Sequence, residues 1–168
     1  MQIRRLVAAD ARDYRDTRNL GLREFPDAFT TAYEEGLATP PERLIPRFGG
    51  GASDDFVLGA FPEQGTLAGY AGFQREPRFK NRHKGTLIGM YVLPAFRRQQ
   101  LGRLLLERLI DEARALQGME RLNLTVTQTN EGARALYLRA GFVTFGVEKS
   151  ALKTGGRYYD KEHMVLVL

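Results

Sequence analysis

In "LPAFRRQQLGRLLL", residues 93–106, a Leu-rich helical pattern follows directly on a pair of arginines. Arg97 and Arg98 fall at or just before the helix N-terminus, where exposed amide N–H groups already favour negative charge. Along the chain, no Asp or Glu offsets them until Glu107. Residues 101–117 set Leu101, Leu105, Leu109, Ala113 and Leu116 on one face and Arg103, Glu107, Asp111 and Arg114 elsewhere, as an amphipathic helix requires. The flanking segments "TLIGMYVLP" (86–94) and "RLNLTVTQ" (121–128) read as strands. The helix is therefore a crossover, and it lays the two strands side by side and parallel.

The rest of the chain surrounds this unit. "MQIRRLV" (1–7) reads as an edge strand, and Asp10 is placed to cap a helix running to about Arg23. Residues 25–48 carry helix-like pieces broken by Pro26, Gly36 and Pro40–Pro41, and "GGGASDD" (49–55) reads as a flexible connection. "FVLGAF" (56–61) and "LAGYAGF" (67–73) form a hairpin across "PEQGT". "TNEGARALYLRAGF" (129–142) is a short helix, with Thr129 or Asn130 as its cap and Gly141 at its end. "VTFGVEK" (143–149) and "RYYDKEHMVLVL" (157–168) close the chain as two antiparallel strands. The expected fold is one mixed α/β domain over residues 1–168.

Composition narrows the function classes. With 168 residues, 43% of them hydrophobic, the chain can bury one sizeable core. Cysteine is absent, which excludes disulfides, thiolate metal sites and an acyl-cysteine route. No segment reaches the roughly 18 apolar residues of a membrane span, and the N-terminus has no apolar signal-peptide stretch, so a cytoplasmic protein is expected. The net charge of +5 leaves open a nucleic acid, a phosphorylated cofactor or a merely solvated surface.

At a strand-to-helix turn, converging N–H groups and the helix dipole make an anion cradle. Arginines there are unfavourable while the cradle is empty and favourable once a diphosphate neutralises them. Gly102, without a Cβ, lets a phosphate approach the backbone. Taken alone, the stretch is equally a solvated helix start that happens to be Arg-rich.

"VLPAFRRQQLGR" (92–103) resembles the acetyl-CoA signature of the GNAT superfamily of N-acetyltransferases, Gln/Arg-x-x-Gly-x-Gly/Ala. Arg97 takes its first position, Gly102 its last, and Gln100 stands where the family has its first glycine. About thirty residues on, Asn130, Ala133, Leu136, Tyr137, Gly141 and Phe142 match the second signature, Asn-x-x-Ala-x-x-Leu-Tyr-x-x-x-Gly-Phe. The resemblance implies a mostly antiparallel central sheet with one parallel, splayed pair and flanking helices. It also implies transfer of acetyl from acetyl-CoA to a primary amine of a small molecule, peptide or protein by direct attack in a ternary complex.

The same resemblance implies the site. Backbone groups near Met90, Tyr91 and Val92 would pair with the pantetheine arm, and one N–H there would steady a developing oxyanion. The diphosphate would lie on Arg97, Arg98, Gln99, Gln100, Leu101, Gly102 and Arg103, with Asn130 and Ala133 completing the cofactor contacts. Tyr137 is the candidate acid for the departing thiolate; the alternative is a packing role. Many relatives carry a carboxylate on the fourth strand, but "GTLIGMYV" has none, so Glu24, Glu34, Glu35, His83 or a water chain remain open as base. Glu34 and Glu35 lie where relatives form the acceptor wall. The resemblance implies no metal, leaves the acceptor amine unidentified, and allows a homodimer, which the family often forms.

Two readings of other classes compete: a CoA-binding module without turnover, and a basic nucleic-acid-binding domain. The loop "REPRFKNRHKG" (75–85) has five Lys or Arg residues and invites the latter, but no interleaved aromatics mark a nucleic-acid face. It precedes the strand whose far end carries the arginine pair, about 25 Å away at ~3.3 Å per residue.

Overall fold

The computed structural model describes residues 1–49 and 54–168. Most of the 49–55 connection therefore lies outside the described residues. Seven strands form one sheet: β1 (Gln2–Arg5), β2 (Phe56–Phe61), β3 (Gly69–Arg75), β4 (Lys84–Val92), β5 (Arg121–Thr127), β6 (Val143–Thr154) and β7 (Arg157–Val167). Their spatial order is β1-β2-β3-β4-β5-β7-β6, antiparallel except for β4 and β5. The β4–β5 crossover is α3 (Leu101–Arg114), and the other helices are α1 (Ala11–Glu24), α2 (Tyr33–Ala38) and α4 (Glu131–Arg139).

The two faces of the sheet bury separate cores. On one, the Leu101, Leu105, Leu106, Leu109 stripe of α3 packs with Phe56, Phe73, Leu122, Met164 and Phe142. On the other, Tyr14, Leu44, Phe48, Val57, Tyr70 and Tyr91 pack under α1 and the turns after it. The expected α3 stripe is thus realised, ending at Arg114 rather than near residue 117. Asp10 does not cap α1. Its carboxylate accepts the Val7 N–H at 2.8 Å and a bidentate pair of bonds from Arg4 at 2.7 and 2.9 Å. A short-range turn and an edge-strand arginine outcompete the helix for that acceptor.

One irregularity positions the site. The parallel pairing of β4 with β5 covers only Lys84–Thr86 against Arg121–Asn123. The β3–β4 register then slips between Gly72 and Phe73, leaving Ile88 as the extra residue, and Gly89 takes φ 151°. Such a bulge bends its strand. Beyond Thr86, β4 leans away from β5, and its edge on that side meets no other strand among the described residues.

The end of α4 explains part of the second signature. The Phe142 N–H bonds the Tyr137 carbonyl at 3.1 Å, the Gly141 N–H bonds that of Leu138 at 3.0 Å, and Gly141 has φ 93°. This is a Schellman stop, and the Tyr137 and Phe142 rings meet at 5.9 Å as its hydrophobic contact. An L-residue in that left-handed position costs about 1–2 kcal/mol. Gly141→Ala should lower Tm by roughly 2–8 °C, at about 2–4 °C per kcal/mol for this size, read from a thermal melt. An unchanged Tm would show that α4 does not depend on this stop.

Candidate active site

The gap between β4 and β5 opens into a cleft of about 1020 Å³ that runs through the sheet. On the α3/α4 face it is walled by Arg98, Gln100, Gly102, Arg103, Asn130, Ala133, Leu136, Tyr137 and Arg139. On the α1 face it is walled by Phe25, Ala28, Phe29, Thr30 and Lys161, with β4 residues Thr86–Val92 and β5 residues Thr125–Thr127 between. The site residues expected from sequence converge here with one exception. Gln99 does not line the cleft, and its side-chain amide donates to the Ala95 carbonyl at 3.1 Å.

The arginine pair divides in two. Arg97 is offset after all, by an acid 73 residues away: its guanidinium binds Glu24 at 2.5 and 2.6 Å and the Val92 carbonyl at 3.0 Å. It also lies over the Phe25 and Tyr91 rings at 5.3 and 5.4 Å. Tyr91 donates its hydroxyl to the same carboxylate at 2.7 Å. Arg97 therefore ties the end of α1 to the turn before α3, whereas the sequence suggested an uncompensated cation. Arg98 has no such partner among the described residues and borders the cleft.

Both Arg98 and Gln100 adopt left-handed backbone, with φ 61° and 59° and Gln99 between them outside that region. Alternation of this kind turns successive N–H groups toward one concavity, an anion-binding nest. It also gives a physical reason for the family's glycine at position 100: the residue there needs positive φ, which Gln adopts at about 1 kcal/mol. Gly102 serves packing as well as access, since a Cβ on it would meet the Met90 Cε at 3.3 Å.

Tyr137 is 7% exposed, and burial pushes its hydroxyl up to about 12. Asn130, and not Thr129, caps α4, accepting the Ala133 N–H at 3.2 Å. The Thr129 and Thr127 hydroxyls instead hold Asp27, through its carboxylate at 2.8 Å and its carbonyl at 2.6 Å. These bonds fasten residues 25–30 over the cleft mouth.

The candidate bases are not in the cleft. No Asp, Glu or His lines it among the described residues. Glu24 is held by Arg97 and then Tyr91, and Arg97 above all keeps its carboxyl below the usual range. Glu35 accepts the Ala32 N–H at 2.8 Å at the start of α2, and Glu34 borders a separate pocket of about 340 Å³. The His83 carbonyl receives the Glu120 and Arg121 N–H groups, and the His163 ring meets Glu148 at 3.1 Å. The basic loop sits at the other end of β4. Arg75 and Arg82 bind Asp54 at 2.7 and 3.1 Å, and no residue of 75–85 touches the cleft.

Sequence reasoning missed Phe25, Phe29, Thr30, Arg139 and Lys161. Lys161 carried a faint signal as a charge in the apolar alternation of the last strand, and the others carried none. No helix among the described residues is long and apolar enough to cross a membrane.

Comparison with known proteins agrees with this geometry. The acetyltransferase (GNAT) family matches residues 18–142. A GNAT-family acetyltransferase from Streptococcus pneumoniae superposes with TM-score 0.87 at 27% identity, covering 99% of this chain and 98% of that one. A Salmonella typhimurium protein described as an acetyltransferase, solved with its cofactor acetyl-CoA, gives TM-score 0.79 at 26% identity over 99% and 93% of the two chains. The [ribosomal protein bS18]-alanine N-acetyltransferase of Salmonella typhimurium is 37% identical over 83 residues, which are 49% of this chain. The chain spans only 55% of that relative's length. The protein belongs to the acetyltransferase (GNAT) family.

The Arg97–Glu24 pair is a third exposed, 34% on each side, which keeps its worth to about 1 kcal/mol or less. Glu24→Gln should lower stability by about that amount at pH 7. Because the folded carboxyl is depressed, the contribution exists above its unfolded value of 4.5 and fades as pH falls through the folded one. Urea melts of both proteins should therefore differ at pH 7 and converge in acid, once that carboxyl is protonated in both states. A gap that persists in acid would assign it to packing.

Proposed function

We propose that the chain is an acetyl-CoA-dependent N-acetyltransferase that acetylates a primary amine of a small molecule, peptide or protein by direct attack in a ternary complex. The observation that carries the reading is the cleft through the sheet, with the left-handed turn at 98–100 on its α3/α4 face and an apolar wall of Phe25, Ala28 and Phe29 on its α1 face.

The residues fit the cofactor. The nest at 98–100 supplies N–H groups and a positive dipole end for a diphosphate, and Arg98, Arg103 and Arg139 supply charge. The β4 edge that no described strand pairs beyond Thr86 presents main-chain groups of Met90 and Val92 to an extended amide-bearing arm, as in strand addition, with Tyr91 between them turned to β3 and the Val92 carbonyl already bonded to Arg97. Asn130 and Ala133 border the same mouth. Acetyl-CoA would bring an acetyl group activated as a thioester. A β4 N–H in the gap would stabilise negative charge developing on the acetyl group's carbonyl oxygen.

Tyr137 holds a proton on its hydroxyl oxygen throughout the neutral range, since burial keeps it un-ionised to about 12. In this reading it would protonate the leaving sulfur. With no carboxylate or imidazole lining the cleft among the described residues, we assign deprotonation of the acceptor ammonium to water. Turnover per bound acceptor should then rise with pH along the acceptor's own ammonium titration. Tyr137 should impose no descending limb below pH 10.

The direct assay is thiol release from acetyl-CoA with a panel of amines. Tyr137→Phe should lower kcat roughly 10²-fold or more with little change in KM, a typical loss for one general acid. Undiminished turnover at saturation would remove Tyr137 from catalysis. Gln100→Gly should leave acetyl-CoA affinity within about threefold, because its N–H, which both residues carry, makes the contact. A tenfold change in either direction would assign the contact to the side chain. The reading as a CoA-binding module predicts cofactor binding without thiol release on any amine.

A further inference from the structure

Lys161 is 9% exposed, yet among the described residues it forms no ion pair. Burying an ammonium without a counter-charge is costly, so an unpaired one at a cleft wall is poised for an anion that arrives with a ligand. Its Nζ has one hydrogen-bond partner, the Thr30 hydroxyl at 3.1 Å, and both residues line the cleft. Lys161 lies opposite Thr127 in the β5–β7 ladder, so both point to the α1 face, away from the nest on the α3/α4 face. It therefore belongs to the acceptor mouth and not to the diphosphate cradle.

The neighbouring acids are otherwise engaged. Glu148, opposite Lys161 on β6, attracts it from a distance without forming an ion pair, and its carboxylate meets the His163 ring at 3.1 Å. Asp160 takes Lys149 at 2.7 Å and the Ser150 N–H at 2.9 Å. Asp27 takes the Thr129 hydroxyl, and Glu24 is held by Arg97. A second buried cation adds to the positive field: Arg18, 7% exposed, donates to the Thr31 hydroxyl at 3.0 Å, and its other terminal nitrogen has no partner among the described residues.

Resting on the acetyltransferase reading, we propose that the acceptor is an amine that carries its own carboxylate, bound by Lys161 and the Thr30 hydroxyl. The apolar walls at Phe25, Ala28 and Phe29 suit an amino acid with an apolar side chain. A cleft whose charged lining is entirely cationic repels polyamines and other multiply charged amines. For the permitted class, the substrate's carboxylate offsets the field that would otherwise oppose an incoming ammonium. Placing that carboxylate on Lys161 also fixes where the amine sits.

The test uses two probes that differ only in charge, N-acetylphenylalanine and N-acetylphenylalaninamide, titrated by calorimetry into the full chain saturated with CoA. The wild type should bind the carboxylate at least tenfold more tightly than the amide. Lys161→Gln should erase that preference while leaving the amide's affinity within twofold, and Lys161→Arg should restore most of it. Thermal stabilisation of each variant by CoA serves as the check that the cleft is formed. Equal binding of the two probes by the wild type, or equal loss of both in Lys161→Gln, overturns the inference while leaving the acetyltransferase reading standing. Absence of any stabilisation of the wild type by CoA or acetyl-CoA overturns that reading and this inference with it.

Discussion

The structure depends on two parallel strands that pair for three residues and then part. Had β4 stayed beside β5 beyond Thr86, the sheet would be continuous and the chain would have no cleft. The bulge at Ile88 and the positive φ of Gly89 bend β4. The parted strands leave main-chain groups of β4 that no neighbouring strand pairs among the described residues. A sheet edge normally invites unwanted pairing; here the two layers of helices confine it to a slot. The same separation lets the two mouths be chemically distinct, because each opens through a different face.

Charge is distributed to match. Of the arginine pair, Arg97 is bound by Glu24 and joins α1 to the turn before α3, so it acts as a strut. Arg98 remains for the anion cradle. Dividing the pair in this way bears on why cations stand before a helix: one is neutralised within the fold, and the other borders the cleft. Holding Gln100 in left-handed backbone keeps the cradle's N–H groups converging without a glycine there.

Local patterns were legible in the sequence, and long-range pairings were not. α3 could be read from its Leu spacing, and the stop of α4 from Gly141, because each is set by residues within two turns. The crossover and the parallel pair followed from strand–helix–strand order. The splay entered through resemblance alone, since nothing in "GTLIGMYV" marks where pairing ends. Glu24 and Arg97 are 73 residues apart, and no local signal joins them. Lys161 could not be assigned to a face until the β5–β7 register placed it opposite Thr127. Residues 25–48 were readable only as broken pieces; their tertiary bonds to Thr127 and Thr129 position the cleft mouth.

The central claim is that the parted edge of β4 and the nest before α3 together hold acetyl-CoA. Hydrogen exchange with and without acetyl-CoA measures this directly, because both parts are backbone amides. Protection should appear in residues 88–92 and 98–103 and in few others of the sheet, with the 75–85 loop unchanged. Binding that leaves the amides of 88–92 and 98–103 exchanging at their free rate would contradict the account.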